Sequence, residues 1–316
     1  MTTPPAPHRS PSRLSRLRPG ARRDPLRGRT VVVTGAASGM GRELSRRLSR
    51  DGCPVVLADV DTAGLAGTVE GLRGPVRTVE LDVADAAAVR EFATAVARWA
   101  PAPIGAVFNN AGVAVTGSVL EGSADDDEWL RRIDFDGVVN GTRAFLPLLV
   151  AQGSGTIVNT SSVYGLAAVP FHSAYCAAKF AVRGFTESLR HELAGTGVRA
   201  VVVHPGGVRT EIARRSRTSS EPDDRGLSPE ERAAEFEALA MTGADRAARI
   251  IVDGVERGRS RILVGPDARF FDLATRLTPN HYMALVGALE SALARFGGPP
   301  VPATAPAPSA RQESNR

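Results

Sequence analysis

Seven short apolar runs, separated by stretches of helical spacing or turns, constrain the fold of this chain more than any other feature. They read RTVVVT (residues 29–34), PVVLAD (54–59), PVRTVELDV (75–83), IGAVFNNAG (104–112), GTIVNTSS (155–162), GVRAVVVHP (197–205) and SRILVG (260–265). Most are β-branched and continuously apolar instead of alternating, the pattern of parallel strands covered on both faces. Their alternation with helical segments predicts an α/β chain: a single domain on a doubly wound parallel sheet of about seven strands, with ligands at the carboxyl ends. With 316 residues and 43% hydrophobic content, the chain has ample material for one large core.

The first run leads directly into Gly35-Ala36-Ala37-Ser38-Gly39-Met40-Gly41, and RELSRRLSRDG follows with helical spacing at Leu44 and Leu48. A strand, a glycine turn and a helix N-terminus together make a site for a pyrophosphate, because glycines let backbone approach and free N–H groups with the helix dipole receive the charge. The spacing is GxxxGxG, a variant of the more familiar GxGxxG. The second run ends at Asp59, eighteen residues beyond Gly41. A carboxylate there binds both ribose hydroxyls of NAD and repels the 2′-phosphate of NADP. Neither Ser38 nor Val60 is basic, so NAD(H) is favoured and NADP(H) is the alternative. The competing reading is that Asp59 merely caps the next helix.

The segment at 155–184, GTIVNTSSVYGLAAVPFHSAYCAAKFAVRG, opens as a strand and closes as a helix carrying Tyr175 and Lys179. Residues four apart on a helix lie on one face, so the ammonium sits beside the phenol and stabilises its phenolate, bringing a group with an unperturbed pKa of about 10 toward neutrality. Lys179 is the only lysine among 39 Lys and Arg residues. An ammonium is compact and shares three donors among partners, which a planar guanidinium cannot do. Thirteen residues before the tyrosine, Ser162 ends the fifth run, where its hydroxyl can hydrogen-bond the oxygen that Tyr175 protonates.

Ser162, the Tyr175-x-x-x-Lys179 pair and the glycine motif resemble the short-chain dehydrogenase/reductase family, in its short, single-domain, NAD(P)-dependent branch with a Rossmann-type sheet. The resemblance covers roughly residues 28–265. It implies hydride transfer between a nicotinamide cofactor and an alcohol or ketone (EC 1.1.1-type), with Tyr175 as general acid/base. Ser162 would polarise the substrate oxygen, and Lys179 would lower the tyrosine pKa while binding the nicotinamide ribose. It further implies cofactor contacts at Gly35, Ser38, Gly39, Met40, Gly41, Asp59, Asp82 and Val83. Others fall at Asn109, Ala111 and Gly112 of the NNAG run and at Pro205, Gly206, Val208 and Thr210. Expected substrate-side residues are Ser162, Val163, Tyr164, Pro170, Phe171, His172, Tyr175 and Val208, which favour an apolar or aromatic carbonyl compound.

One position departs from the family. Aligning IDFDGVVNGTRAFLP puts Gly137 on the glycine of an asparagine-x-x-glycine pattern and Asp134 on the asparagine. That asparagine kinks the helix so that a backbone carbonyl holds a water near the lysine, extending a proton relay. Aspartate is nearly isosteric and accepts, but cannot donate when ionised; it either preserves the water site or weakens the relay. Two other function classes follow: an NAD(H)-binding sensor with poor turnover, raised by Asp134, and an epimerase or dehydratase on the same fold. The intact Ser162, Tyr175 and Lys179 oppose the first, and the lack of a large C-terminal substrate domain opposes the second.

Composition bounds the rest. Residues 1–27, rich in Pro, Arg and Ser, and 297–316, rich in Pro, Ala and Ser, read as disordered tails around a domain at 28–296. Net charge is +5, but in the first 30 residues eight arginines (Arg9, Arg13, Arg16, Arg18, Arg22, Arg23, Arg27 and Arg29) face only Asp24. The folded part is then close to neutral, which argues against nucleic acid as a partner. No run approaches the ~18 apolar residues of a membrane span, and the N-terminus lacks the apolar stretch of a secretory signal. Cys53 and Cys176 show no metal spacing, which fits a reducing cytoplasm and no metal site. The polar, arginine-rich stretch at 211–243 is expected to be a mobile substrate lid whose arginines are solvated or bind an acidic substrate. Family architecture implies a homodimer or homotetramer, paired through helices beginning near Ser123 and Ser173 by Phe145, Leu148, Phe180 and Phe185.

Overall fold

A computed structural model describes residues 26–220 and 228–284 of the chain. Seven strands form one parallel sheet: β1 Thr30–Thr34, β2 Val55–Asp59, β3 Val76–Glu80, β4 Ile104–Asn109, β5 Gly155–Thr160, β6 Val198–Pro205 and β7 Arg261–Val264. Their order is β7-β6-β5-β4-β1-β2-β3. The chain winds outward from β1 to β3, then returns to the far side of β1 and winds the other way. The loops after β1 and β4 therefore part from one another, opening the crevice in which α/β sheets bind ligands. The doubly wound single-domain sheet expected from the sequence is the one observed.

Helices cover both faces because the strands are apolar on both. Val31 and Val33 of β1 point to one side, where Leu44 and Leu48 of α1 (Gly39–Arg50) meet Ile251 and Val255 of α8 (Ala244–Glu256). Val32 points to the other side, into a layer made by Phe92 and Val96 of α3 (Ala86–Trp99), Phe145 and Leu149 of α5 (Gly137–Gln152) and Leu189 of α6 (Ser173–Glu192). Phe145 is 1% exposed and meets the edge of Phe92 at 5.7 Å. It is a core residue, unavailable for subunit pairing, and Leu148 and Phe185 pack against the same cluster. Of the four residues expected to pair subunits, Phe180 is the exposed one, at 40%.

The folded chain begins earlier than the expected boundary at residue 28. Leu26 is 2% exposed, its N–H donates to Glu256 Oε1 at 3.2 Å, and its carbonyl accepts from the Arg29 N–H at 2.9 Å. The remainder of the N-terminal tail, residues 1–25, and all of the expected C-terminal tail lie outside the described residues. Among the described residues no helix is long and apolar enough to cross a membrane, and no group of three or more His, Cys, Asp or Glu side chains is placed to hold a metal ion.

Candidate active site

The glycine turn closes on itself and on the end of β4. A Cβ on Gly41 would lie 2.0 Å from the Gly35 carbonyl oxygen, and one on Gly35 would lie 2.7 Å from Ala111 Cα. These two glycines thus serve packing, the third holding α1 against the strand. Gly39 is different: it has φ +50, and a Cβ there would press on the Thr210 side chain at 3.0 Å. Ser38, the N-cap of α1, makes no side-chain cap bond, and the first turn has no acidic residue. The helix therefore presents uncapped amides and the positive end of its dipole, the chemistry that receives a phosphate. Asp59 braces this turn, accepting from the Ala37 N–H at 2.9 Å and the Asp61 N–H at 3.0 Å. It does not cap the next helix: Asp61 caps α2 (Thr62–Val69). These residues fit a dinucleotide.

Next to the turn, the NNAG run leads to the catalytic candidates. Thr34 Oγ1 accepts from the N–H groups of Asn110 and Ala111 at 3.0 and 3.1 Å. Asn109 is buried and donates to Asn159 Oδ1 at 2.8 Å, tying β4 to β5, so its side chain serves the sheet. A Cβ on Gly112 would lie 3.3 Å from both Asp134 Oδ1 and Lys179 Nζ, so this glycine makes room for that pair. Lys179 Nζ stands 2.9 Å from Asp134 Oδ2, with side chains 4% and 0% exposed, and 3.4 Å from the Thr160 carbonyl oxygen. Asp134 lies within a π-helical turn, Arg132–Asp136, that joins α4 (Ala124–Arg131) to α5. Its Oδ1 accepts from the Val113 N–H at 2.7 Å.

Ser162, Tyr175, Lys179 and Asp134 are thus brought together. Ser162 caps the 3₁₀ turn Val163–Gly165, accepting from the Tyr164 N–H at 3.1 Å, and its hydroxyl stands beside the Tyr175 phenol. Lys179 Nζ is 5.4 Å from the centre of the tyrosine ring. Burial pushes the Tyr175 phenol above its ordinary value; Lys179 and the Ser162 hydroxyl pull it down, and Asp134 pushes it up. The lowering expected from Lys179 is therefore outweighed. Burial disfavours the Lys179 ammonium, yet Asp134 and Tyr175 hold its pKa above the ordinary lysine value; burial also raises the Asp134 carboxyl, against the pull of Lys179 and the Val113 N–H, and the 2.9 Å contact favours the charged pair.

The substrate side has an aromatic wall. Tyr164 meets Tyr175 edge-on at 5.9 Å and His172 at 5.3 Å. His172 hydrogen-bonds the Pro170 carbonyl through Nδ1 at 2.9 Å, and burial lowers its pKa, so the ring is neutral at pH 7. Phe171 has φ +60, the only positive value at a non-glycine residue described. Val163 and Val208, also expected on this side, are buried, at 6% and 4% exposure. Tyr282 donates to the Ala168 carbonyl at 2.9 Å and accepts from its N–H at 3.1 Å, docking the C-terminal segment on this loop.

The polar stretch after Thr210 contains a strand at Arg217–Thr218, which pairs with Val115–Thr116, and helix α7 (Pro229–Leu239), whose Ser228 and Glu231 form a capping box. Three of its described arginines are paired with carboxylates. Arg214 pairs with Glu237 at 2.9 Å and Arg215 with Asp61 at 3.4 Å. Arg217 pairs with Asp126 at 2.8 Å and lies 3.6 Å over the Trp129 ring.

Three supporting residues escaped sequence reasoning. Asn140 donates to the Val83 carbonyl at 3.0 Å, fixing the turn where Asp82 Oδ1 accepts from the Ala84 N–H at 2.8 Å. Asp267, from the start of α9 (Pro266–Leu277), accepts from the Gly207 N–H and leaves no space for a Cβ on Gly206 beside Pro205. His204 pairs through Nδ1 with the Ser162 carbonyl at 3.0 Å. Only the position of His204 beside Pro205 and Gly206 offered a sequence signal.

Comparison with known proteins places this arrangement. The family model described as short chain dehydrogenase matches residues 29–221. The chain is 44% identical over 268 residues to the SadH protein of Mycobacterium tuberculosis, covering 83% of this chain and 95% of that one. It is 37% identical over 202 residues to oxidoreductase UcpA of Salmonella typhimurium, covering 63% of this chain and 76% of the relative. A short chain dehydrogenase/reductase from Burkholderia phymatum, solved in complex with NAD, superposes with a TM-score of 0.69 at 31% identity, over 89% of this chain and 99% of that one. With its sheet, glycine turn and serine–tyrosine–lysine cluster, the chain belongs to the short chain dehydrogenase family.

Proposed function

We propose that this oxidoreductase transfers a hydride between a nicotinamide cofactor and the carbon of an alcohol or ketone. The observation that carries the reading is the Ser162–Tyr175–Lys179 cluster, joined through Ala111 and Gly112 to the uncapped start of α1. The bound nicotinamide supplies or accepts the hydride. Gly39, Ser38, Met40 and Thr210 would receive its pyrophosphate, Asp59 its adenosine ribose, and Asp82 and Val83 its adenine. Lys179 would hold the other ribose, and Pro205, Gly206 and Val208 would take the carboxamide.

The chain's own steps are short. Ser162 orients the substrate oxygen, Tyr175 gives it a proton on reduction or takes one on oxidation, and Lys179 stabilises the phenolate left behind. The Tyr164, Phe171 and His172 wall suits an apolar or aromatic carbonyl compound. Asp59, with no basic neighbour at Ser38 or Val60, supports NAD(H) over NADP(H). The reading also includes self-association through Phe180 and its exposed surroundings, testable by light scattering, and a reducing cytoplasmic setting for the two free, buried cysteines.

A panel of alcohols and ketones followed at the NADH absorbance tests the activity. Turnover lost in Tyr175→Phe supports it. NADH binding without turnover across the panel would favour the sensor reading.

A further inference from the structure

We propose that Asp134 is the direct counter-ion of Lys179, and that its charge beside the ammonium opposes formation of the Tyr175 phenolate, setting the site for carbonyl reduction. This rests on the acid/base reading of Tyr175 given above and goes beyond it. The carboxylate stands in place of an amide whose helix turn would otherwise hold a water, and here it reaches the lysine itself at 2.9 Å.

Three observations make this pair more than a structural tie. First, both side chains are buried, and a buried ion pair is a poor stability device because desolvation offsets much of the attraction. Second, the backbone is built around it: the π-helical turn carries Asp134 inward, the Val113 N–H holds one oxygen at 2.7 Å, and Gly112 leaves room for both groups. Third, the pair abuts the tyrosine ring, 5.4 Å from Lys179 Nζ. Tyr175 therefore senses an ammonium that favours its phenolate and a carboxylate that opposes it.

The groups acting on Tyr175 are Lys179, Asp134, the Ser162 hydroxyl and the neighbouring Cys176 thiol. From the other elements it meets Tyr164, which also meets the neutral His172 ring, and with Trp129 and Phe135 it packs against Val115, Leu130 and Ala178. Arg217, stacked over Trp129, is paired with Asp126. In reduction Tyr175 would give its proton to the substrate oxygen while a bound reduced nicotinamide supplied the hydride, and the phenolate left behind would take a proton from solvent. By opposing the phenolate, Asp134 favours the form of Tyr175 that acts as acid over the form that acts as base.

The single lysine makes the test direct. In full-length, cofactor-free protein labelled with ¹⁵N at lysine Nζ, one lysine signal reports Lys179. The expected result is an ammonium that persists beyond the ordinary lysine value of 10.5. In Asp134→Asn the lysine midpoint falls, and near-ultraviolet tyrosinate titration, with Tyr175→Phe as reference, places the Tyr175 midpoint about one pH unit lower. The alkaline limb of alcohol oxidation moves down with it. A neutral Lys179 amine below 10.5 in the unaltered chain would overturn the counter-ion assignment, and needs no variant to fold. An unmoved or raised Tyr175 midpoint in Asp134→Asn would overturn the charge-setting role. Titrations as expected in a protein without turnover would instead count against the catalytic reading.

Discussion

His204 gives the molecule a built-in sensitivity to acid, and His204→Asn should remove it. The imidazole is 0% exposed; Nδ1 donates to the Ser162 carbonyl at 3.0 Å, and among the described residues Nε2 has no hydrogen-bond partner. Protonating Nε2 would bury a charge without an acceptor, with Arg261 and Arg183 adding repulsion; burial and these cations lower the pKa from 6.5 to about 4. A histidine lowered in this way contributes stability that is fully present above 6.5 and is lost as pH falls from 6.5 toward 4. At ~1.4 kcal/mol per unit, the loss by pH 4 is about 3 kcal/mol. Asparagine places an amide donor near the position of Nδ1 and does not titrate. It should cost ~1–2 kcal/mol at neutral pH through lost packing. Denaturant unfolding from pH 8 to 4.5 is the assay. The stability curves of the two proteins should converge on acidification, with the parent falling faster; parallel curves would show that His204 is not the titrating group.

Further outcomes follow from the same geometry. Lys179→Arg should lose at least ~tenfold in kcat, ~1.4 kcal/mol in barrier, because a planar guanidinium cannot occupy the compact space beside Gly112 and Asp134; parent-like turnover would remove Lys179 from the mechanism. NADH should bind more tightly than NADPH in titrations with both, and Asp59→Ala combined with Val60→Arg should reverse the order. Equal binding by the parent would show that Asp59 does no more than brace the Ala37 amide. Leu26→Ala should lower unfolding free energy by about 2–4 kcal/mol, and a change below about 0.5 kcal/mol would place Leu26 outside the cooperative unit.

Much of the fold was legible because its determinants are local. A continuous β-branched run names a buried parallel strand by itself, and seven of them fix the sheet. The glycine turn was readable for the same reason, since strand, turn and helix start are contiguous between Thr30 and Arg50. What escaped lies at long sequence separation. Arg217 meets Asp126 across 91 positions and Arg215 meets Asp61 across 154, so an arginine-rich stretch read in isolation looks either solvated or ligand-seeking. Phe145 misled similarly: an aromatic on a long helix looks surplus until Phe92, on another helix, is found against its face.

The site shows the same division, and Asp134 marks where sequence spacing stops being informative. Tyr175 and Lys179 are one helical turn apart, so their proximity follows from helix geometry. Asp134 belongs to another helix, and whether its carboxylate holds a water, supports a relay or touches the lysine depends on a π-helical turn that changes its direction by a fraction of a turn. The consequence is chemical. A lysine read alone beside a tyrosine predicts a lowered phenol, whereas here burial and the nearby carboxylate both oppose the lysine, and burial is the largest effect. The same contact suits this position to the chain's single lysine: a compact ammonium can meet Asp134 and the Thr160 carbonyl together, while a guanidinium needs a broader planar slot than Gly112 leaves.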